Sequence, residues 1–513
     1  MAGPLPLFAR AEAQRERTAL VAPEGTFTYA DLLDSSARVA GKLLAGQTDL
    51  AEARVAFLVP PSFHHVAIQW GIWRAGGVAV PLAVSHPPPE LEHAVRDSGA
   101  EIVIGAPEFA TALRPVATAA RVRYLSTTEA LAPRRLSPAG TRLQQILGAP
   151  PGPPLPDVAE DRRAMIVYTS GTAGRPKGVV TTHANLRAQI DSLVQAWEWT
   201  AHDRVLLVLP LHHIHGIVCV LACALWSGAV CEMLPKFDAD RSWDAIASGR
   251  LTLFMAVPTI YGRLIAAWDD ASRERRRAMS DGCRHVRLMV SGSSALPAPT
   301  FARWKEISGH ALLERYGMTE FGIALANPLR GERRPGWIGQ PLPGIEVRLA
   351  RDSAPAPGES GDVGEIEVRG PGVFLEYWGR PDATRAAFRD GWFRTGDTAA
   401  VENGWWRILG RTSQDIIKSG GYKISALEIE DVLRGHPAIA DCAAVGIRDR
   451  DWGEKVCVAA ELRPGCLLGL EELREWAAER LAPYKVPKDL QCLPALPRNA
   501  MGKVVKAEIA RLF

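Results

Sequence analysis

The sequence predicts an α/β protein with a large N-terminal domain of helix-flanked sheets, a small β unit, and a small C-terminal α+β domain. Three observations lead there. Short apolar strands alternate with helix patterns over the first 130 residues and again from 183 to about 325, the rhythm of parallel sheet covered by helices. From 335 to 410 the texture shifts to short alternating strands divided by Gly and Pro, such as 364–369. After Arg411 come mixed helices and strands that read as a separate unit. A chain of 513 residues is also too long for one ordinary core.

Taken in order, Thr28-Tyr29-Ala30-Asp31 reads as a capping box ahead of a helix over 32–44. Strands are predicted at 54–59 and 77–82. The segment APPGPPLP (149–156) is a stiff connector, and the strand 164–168 follows it. A helix is expected to begin near His183. The uncharged stretch Ile214 to Cys231 falls short of the roughly 20 apolar residues a membrane span needs, and reads as a buried helix and strand. In the tail, 428–433 and 473–481 read as helices, 442–447 and 456–462 as strands.

Composition narrows the function. The chain is 47% hydrophobic and 23% charged with a net charge of +3, so nothing points to bulk electrostatic binding of nucleic acid or anionic lipid. Eight cysteines without a C-x-x-C pair read as reduced, mostly buried thiols. The N-terminus carries no apolar signal core. The expected compartment is the cytoplasm, or the mitochondrial matrix if a transit peptide has been removed.

The richest stretch is YTSGTAGRPKG (168–178). Gly171, Gly174 and Gly178 let backbone N–H groups approach an anion, Thr169, Ser170 and Thr172 add hydroxyls, and Lys177 adds charge. The combination suits nucleotide phosphates. It is not a Walker A loop, because Pro176 replaces the second glycine and Gly178 follows the lysine.

Further patches follow along the chain. LPLHHIHG (209–216) places His212, His213 and His215 together without Cys or carboxylate at ligand spacing, which favours a histidine-lined substrate wall over zinc. SGSSALP (291–297), opening on Ser291, is a second small-residue turn. ERYGMTE (314–320) offers Arg315, Thr319 and Glu320, and WFRTGD (392–397) ends in Asp397, a carboxylate suited to a ribose diol. GRTSQDIIKSGGYKIS (410–425) holds Arg411 and the Gly420-Gly421 turn, and PRNAMGK (497–503) presents Lys503.

Jointly and in this order, these patches resemble the acyl-adenylate-forming superfamily of acyl-CoA synthetases, carrier-loading adenylation domains and beetle luciferases, over essentially the whole chain. The resemblance implies ATP, Mg²⁺ and coenzyme A as cosubstrates and cofactor. It implies that the 169–178 loop wraps the ATP β- and γ-phosphates, with Lys177 as cationic contact. Glu320 would hold Mg²⁺ together with Thr169, and Thr319 a phosphate oxygen. Tyr316, followed by Gly317, would stack near the adenine, while Asp397 and Arg411 hold the ribose. Lys503 would stabilise charge at the α-phosphate. In the second half-reaction the small domain would rotate, bringing Gly420 and Gly421 beside the thiol. The implied boundaries are an N-terminal ATP- and acyl-binding domain (1–410), a hinge (411–413) and a mobile C-terminal domain (414–513). Ser413 stands at the hinge position where relatives often carry Asp or Lys.

ERYGMTE, with Arg315 before the tyrosine, and AVPTIYGRL (256–264) are similar to the malonyl-CoA (methylmalonyl-CoA) synthetase branch. There Arg263 and Arg315 would grip the distal carboxylate, His213 or His215 and Ser291 would line the pocket, and His213 would also serve catalysis. A buried carboxylate is tolerable only when paired and hydrogen-bonded, which two guanidinium forks achieve. The implied partners are small molecules, malonate or methylmalonate, ATP and coenzyme A, with no nucleic acid, in a monomer or weak homodimer. The alternatives are a synthetase for another short or medium acid, a carrier-loading adenylation enzyme, and a non-catalytic relative. The second lacks an aspartate near 209–216 to pair an α-amino group; the third sits poorly with Lys177, Glu320, Asp397, Arg411 and Lys503 all being present.

Overall fold

The structure, a computed structural model, describes residues 5–131, 154–169, 176–350, 362–411, 415–419, 422–450, 452–498 and 504–513. Two large sheets flanked by helices make up most of it. The first has nine strands among the described residues, and its centre is parallel. There Arg204–Leu207, Leu253–Ala256, Leu288–Gly292 and Leu313–Met318 lie side by side in that order. Parallel strands buried on both faces need uninterrupted apolar runs, and LFMA (253–256) and LMVSG (288–292) are buried throughout. The decisive consequence is polarity. All four carboxyl ends open on one edge, so 209–216, 257–263, 291–297 and 315–320 emerge next to one another. Ligands of open α/β sheets bind at that edge.

The second sheet has seven strands among the described residues, with Ile102–Gly105, Arg54–Leu58 and Val78–Pro81 parallel and Arg163–Thr169 next to them. A smaller antiparallel unit contains Glu346–Ala350, Asp362–Arg369, Trp392–Glu402 and Trp405–Arg411. The last sheet pairs Ile439–Asp449 with Gly453–Leu462 and is covered by the helices Ala426–Leu433 and Leu470–Ala478, with its own apolar core around Ile429, Leu433, Val458 and Leu473. The α/β class and its layered organisation match the expectation. All eight cysteines are free, and no helix among the described residues is long and apolar enough to cross a membrane.

Two local expectations need correcting and a third is refined. The capping box forms, Thr28 Oγ1 accepting the Asp31 N–H while Asp31 accepts the Thr28 N–H, but the helix it caps begins at Tyr29 rather than 32. The reason is that a cap sits one residue before its helix. A strand, Lys177–Thr182, intervenes before the helix His183–Ala196 and runs antiparallel to Arg163–Thr169. The strands on either side of 170–175 therefore pair with each other, the helix begins only after the second of them, and 170–175 lie outside the described residues. Finally, the buried helix and strand expected within 214–231 are both present, the strand at Val230–Met233 and the helix as a π-helix over His215–Ala222 continued as α-helix over Cys223–Ser227, so only the helix type is refined. Wide π turns recur at functional sites.

At the opposite edge of the parallel sheet, Asp203 holds the strand starts in register. Its carboxylate accepts from Arg287 Nε and NH2 at 2.8 Å each, from Thr252 Oγ1 at 2.7 Å and from the Thr200 N–H at 2.8 Å. Burial raises this carboxyl, but the hydrogen bonds from Arg287, Thr252 and Thr200 outweigh burial and hold it below its usual range. Its stabilising effect is therefore present above the unfolded value of about pH 4 and is lost as pH falls through the lower folded value. Asp203→Ala is expected to cost about 3 kcal/mol, the low end for a broken buried pair because Arg287 keeps water on one side. Denaturant melts at pH 7 check it, and a change below about 1 kcal/mol would remove Asp203 from this role.

Candidate functional site

The carboxyl edge of the parallel sheet carries a cationic pocket. Leu313–Met318 places Arg315 across the end of the neighbouring strand, above Gly292. A Cβ at 292 would stand 2.4 Å from Arg315 Nε, so only glycine lets the guanidinium lie there. Arg315 is buried and donates through NH2 to Ser293 Oγ at 3.3 Å, while its Nε is buried without a partner. Ser293 holds φ +73°, a left-handed backbone that a serine rarely adopts, and its hydroxyl also lies 3.2 Å from His215 Nδ1. Burial, followed by the charge of Arg315, pulls His215 well below its ordinary value, so its ring is neutral at pH 7. His215 Nε2 and Ser291 Oγ are buried without partners as well. Among the described residues no Asp or Glu pairs with Arg315. A buried guanidinium without a counter-ion, ringed by unpartnered polar atoms, is arranged to receive an anion.

The second half of the site joins the sheet edge to the antiparallel unit. Asp397, on Trp392–Glu402, accepts the Tyr316 hydroxyl at Oδ2 (2.6 Å) and pairs with Arg411 Nε at Oδ1 (2.9 Å). Burial raises the Asp397 carboxyl, with Arg411 and Tyr316 opposing that rise. Tyr316 also packs its ring into the core beside Phe321, 5.8 Å between centroids. Glu320 is buried, which raises its carboxyl, and accepts the Tyr377 hydroxyl at 2.9 Å. Lys177 Nζ lies 5.1 Å from the centre of the Tyr377 ring, and Thr169 faces Lys177 across the hairpin. Gly317 and Thr319 are half-buried at the end of the strand that bears Arg315.

The structure thus brings Thr169, Lys177, Tyr316, Glu320, Asp397 and Arg411 into one linked set, and Arg315, His215 and Ser291 into another beside it. It does not bring Arg263 into direct contact with Arg315. Arg263 is exposed on the helix Pro258–Asp270, its guanidinium 4.7 Å from the Phe237 ring centre. The His213 ring lies tilted against that of His212 with ring centres 4.2 Å apart, and no cluster of three or more metal-ligating side chains occurs among the described residues. Ser170, Gly171, Thr172, Gly174, Ser413, Gly420, Gly421 and Lys503 lie outside the described residues. Sequence reasoning missed Ser293 and Tyr377. Ser293 stood in a quoted motif, but its role depends on a backbone angle; nothing around Tyr377 marked it.

Residues 7–378 match the AMP-binding enzyme family and residues 428–503 the AMP-binding enzyme C-terminal domain. The chain is 45% identical to malonate–CoA ligase ACSF3, mitochondrial, of Bos taurus, over 99% of this chain and 90% of that protein. It is 39% identical to malonate–CoA ligase of Arabidopsis thaliana, over 98% and 87% respectively. The crystal structure of ATP-bound MatB from Rhodopseudomonas palustris matches with a TM-score of 0.85 at 32% identity, covering 99% of each chain.

An uncompensated buried cation costs the free protein stability. Arg315→Met is therefore expected to raise stability by about 1–4 kcal/mol in the absence of ligand, read as a higher midpoint of thermal unfolding. A lower midpoint would mean that Arg315 is held for the fold and not for an anion.

Proposed function

The chain belongs to the AMP-binding enzyme family, and within it we propose a malonate–CoA ligase that joins malonate, or its methyl derivative, to coenzyme A through an acyl-adenylate, releasing AMP and pyrophosphate. The observation that carries the substrate is Arg315, a guanidinium buried at the sheet edge with no acidic partner among the described residues. Malonate leaves one carboxylate free after the other reacts, and that end supplies the missing counter-charge. Neutral His215, Ser291 and Ser293 complete a polar wall that a fatty chain would leave unsatisfied. Arg263, exposed on its helix, would close on the same carboxylate from the outer side. The names of the bovine and Arabidopsis relatives and of MatB support this reading.

For the nucleotide, Asp397 and Arg411 would take the ribose hydroxyls, with Tyr316 orienting Asp397 and Gly317 beside the base. Lys177, Thr169, Thr319 and the 170–174 hydroxyls and glycines would hold the phosphates. Mg²⁺ would be bound by Glu320 with Thr169, and would offset the repulsion between an attacking carboxylate and a phosphate. A single protein carboxylate completed by phosphate oxygens is the usual way that ion is held. Raised by burial, the Glu320 carboxyl favours binding a cation over standing ionised alone. Lys503 would stabilise the pentavalent centre, and His213 would line the path of the reacting carboxylate. A hinge at 411–413, with Ser413 inside it, would separate the domains 1–410 and 414–513. Rotation there would replace Lys503 by the Gly420-Gly421 turn for thiol attack. The mitochondrial designation of the animal relatives favours a matrix location for this chain, acting as monomer or weak homodimer.

Pyrophosphate release over acetate, malonate, methylmalonate, succinate, octanoate and amino acids, with and without coenzyme A, tests the assignment. Malonate or methylmalonate should lead, separated from each other by only about 1–3 kcal/mol; turnover of octanoate without malonate would overturn it. Arg315→Ala should lower kcat/KM for malonate by about 2–5 kcal/mol, roughly 30- to 5,000-fold. Lys503→Ala should lose adenylate formation yet still convert a supplied acyl-adenylate to thioester. Equal loss of both steps would contradict the two-orientation scheme.

A further inference from the structure

A buried set of charges stands behind Arg411, away from the pocket. The strand Trp405–Arg411 ends there, and Asp415 folds back on it: Asp415 Oδ2 accepts the Arg411 N–H at 2.9 Å, while the Asp415 N–H donates to the Arg411 carbonyl at 2.8 Å. Gly410 makes the return possible. Its φ is +131°, and a Cβ there would sit 2.3 Å from Asp415 Cβ. The other carboxylate oxygen, Oδ1, meets Lys506 Nζ at 2.5 Å, and the same ammonium meets Glu430 Oε1 at 2.6 Å. All three side chains are largely buried, with Asp415 and Lys506 14% and Glu430 4% exposed. Glu430 Oε1 is itself fixed by the Ala444 N–H at 2.9 Å. One ammonium therefore joins the C-terminal helix Lys506–Ile509, the helix Ala426–Leu433 and the return after Arg411.

On the far side of Arg411, its guanidinium pairs with Asp397 and donates to the Thr395 carbonyl at 3.2 Å. The chain of contacts is unbroken: Asp397, Arg411, Asp415, Lys506, Glu430. From it we infer that Asp415 and Lys506 are positioning residues for the first half-reaction. Lys506 fixes Asp415, Asp415 closes the return that aims Arg411 at Asp397, and Lys506 ties the segment three residues beyond Lys503 to that same point. The Arg411–Asp415 bonds span residues 412–414, so rotation at 411–413 breaks them. The lock therefore acts in one domain orientation, and its loss falls unequally on the two steps. The inference rests on the two-step adenylate reading above.

The test uses the full-length enzyme and three readouts: pyrophosphate exchange with whichever acid of the panel the wild type activates, thioester formation from a supplied acyl-adenylate, and Mg·ATP affinity by calorimetry. Lys506→Met should lower the exchange rate by about 10- to 100-fold and weaken Mg·ATP binding, with thioester formation changed less than about twofold. Lys506→Arg, which keeps the charge, should restore most of the exchange. Asp415→Asn keeps an acceptor for the Arg411 N–H but loses the charge, and should fall between the two; it serves also if Lys506→Met does not fold. Equal loss of both half-reactions, failure of Lys506→Arg to rescue, or unchanged exchange and Mg·ATP affinity would each overturn the inference. A wild type that activates another acid instead of malonate would refute the substrate assignment alone, and the comparison among variants would still stand.

Discussion

The carboxylate of Asp397 holds the working parts together. One oxygen takes the hydroxyl of Tyr316, rooted in the parallel sheet, and the other takes Arg411, the last residue of the antiparallel unit. Neither partner is free to leave, because Tyr316 is packed in the core and Arg411 is held by Asp415. Hydrogen bonds to a charged group in a buried setting are worth about 1.5–3 kcal/mol each, enough to fix the relative placement of the two units. The pocket on one side and the charge lock on the other are both referenced to this one group.

The two halves of the site solve different electrostatic problems. Around Asp397 and Glu320, carboxylates raised by burial are matched with Tyr hydroxyls and one guanidinium, so the free protein tolerates them. Around Arg315 the described residues supply no carboxylate: it donates to Ser293, and burial, followed by the charge of Arg315 itself, keeps neighbouring His215 neutral. On the proposed reading, such an arrangement would give up stability in the empty protein for discrimination between a dianion and an apolar tail. The strained backbone at Ser293 belongs to the same trade: a left-handed serine is held where its hydroxyl can face both groups.

Two different supports underlie these halves. Asp203 and its partners tie together the starts of the strands Arg204–Leu207, Leu253–Ala256 and Leu288–Gly292 from the far edge, so the carboxyl ends leading to His215 and bearing Ser291 stay together. The Asp415–Lys506–Glu430 set acts from the other direction, on Arg411 and the C-terminal unit. Asp415, Lys506 and Glu430 all fall after residue 413, so with the proposed hinge they would move as one body, and the contact that rotation would break is the one between Arg411 and Asp415.

Local chemistry in the sequence determined a good deal by itself. Alternating apolar runs and breaks revealed the α/β class, because burial on both faces demands continuous strands. The glycine- and hydroxyl-rich loop with Lys177 suggested nucleotide phosphates by its own chemistry, while the patches ending in Glu320, Asp397 and Lys503 gained meaning only jointly, through their resemblance to a known family. Only the tertiary structure decided the rest. Ser293 matters through a backbone angle, and Tyr377 through a contact with a residue 57 positions away. Arg263 and Arg315 look alike as letters, yet one is exposed over Phe237 and the other buried without an acid. The strand Lys177–Thr182 escaped notice because its sequence, KGVVTT, holds only two apolar residues, Val179 and Val180. Burial, counter-charge and backbone conformation are set by neighbours distant in sequence, so a residue's type states what it can do and the fold states whether it is placed to do it.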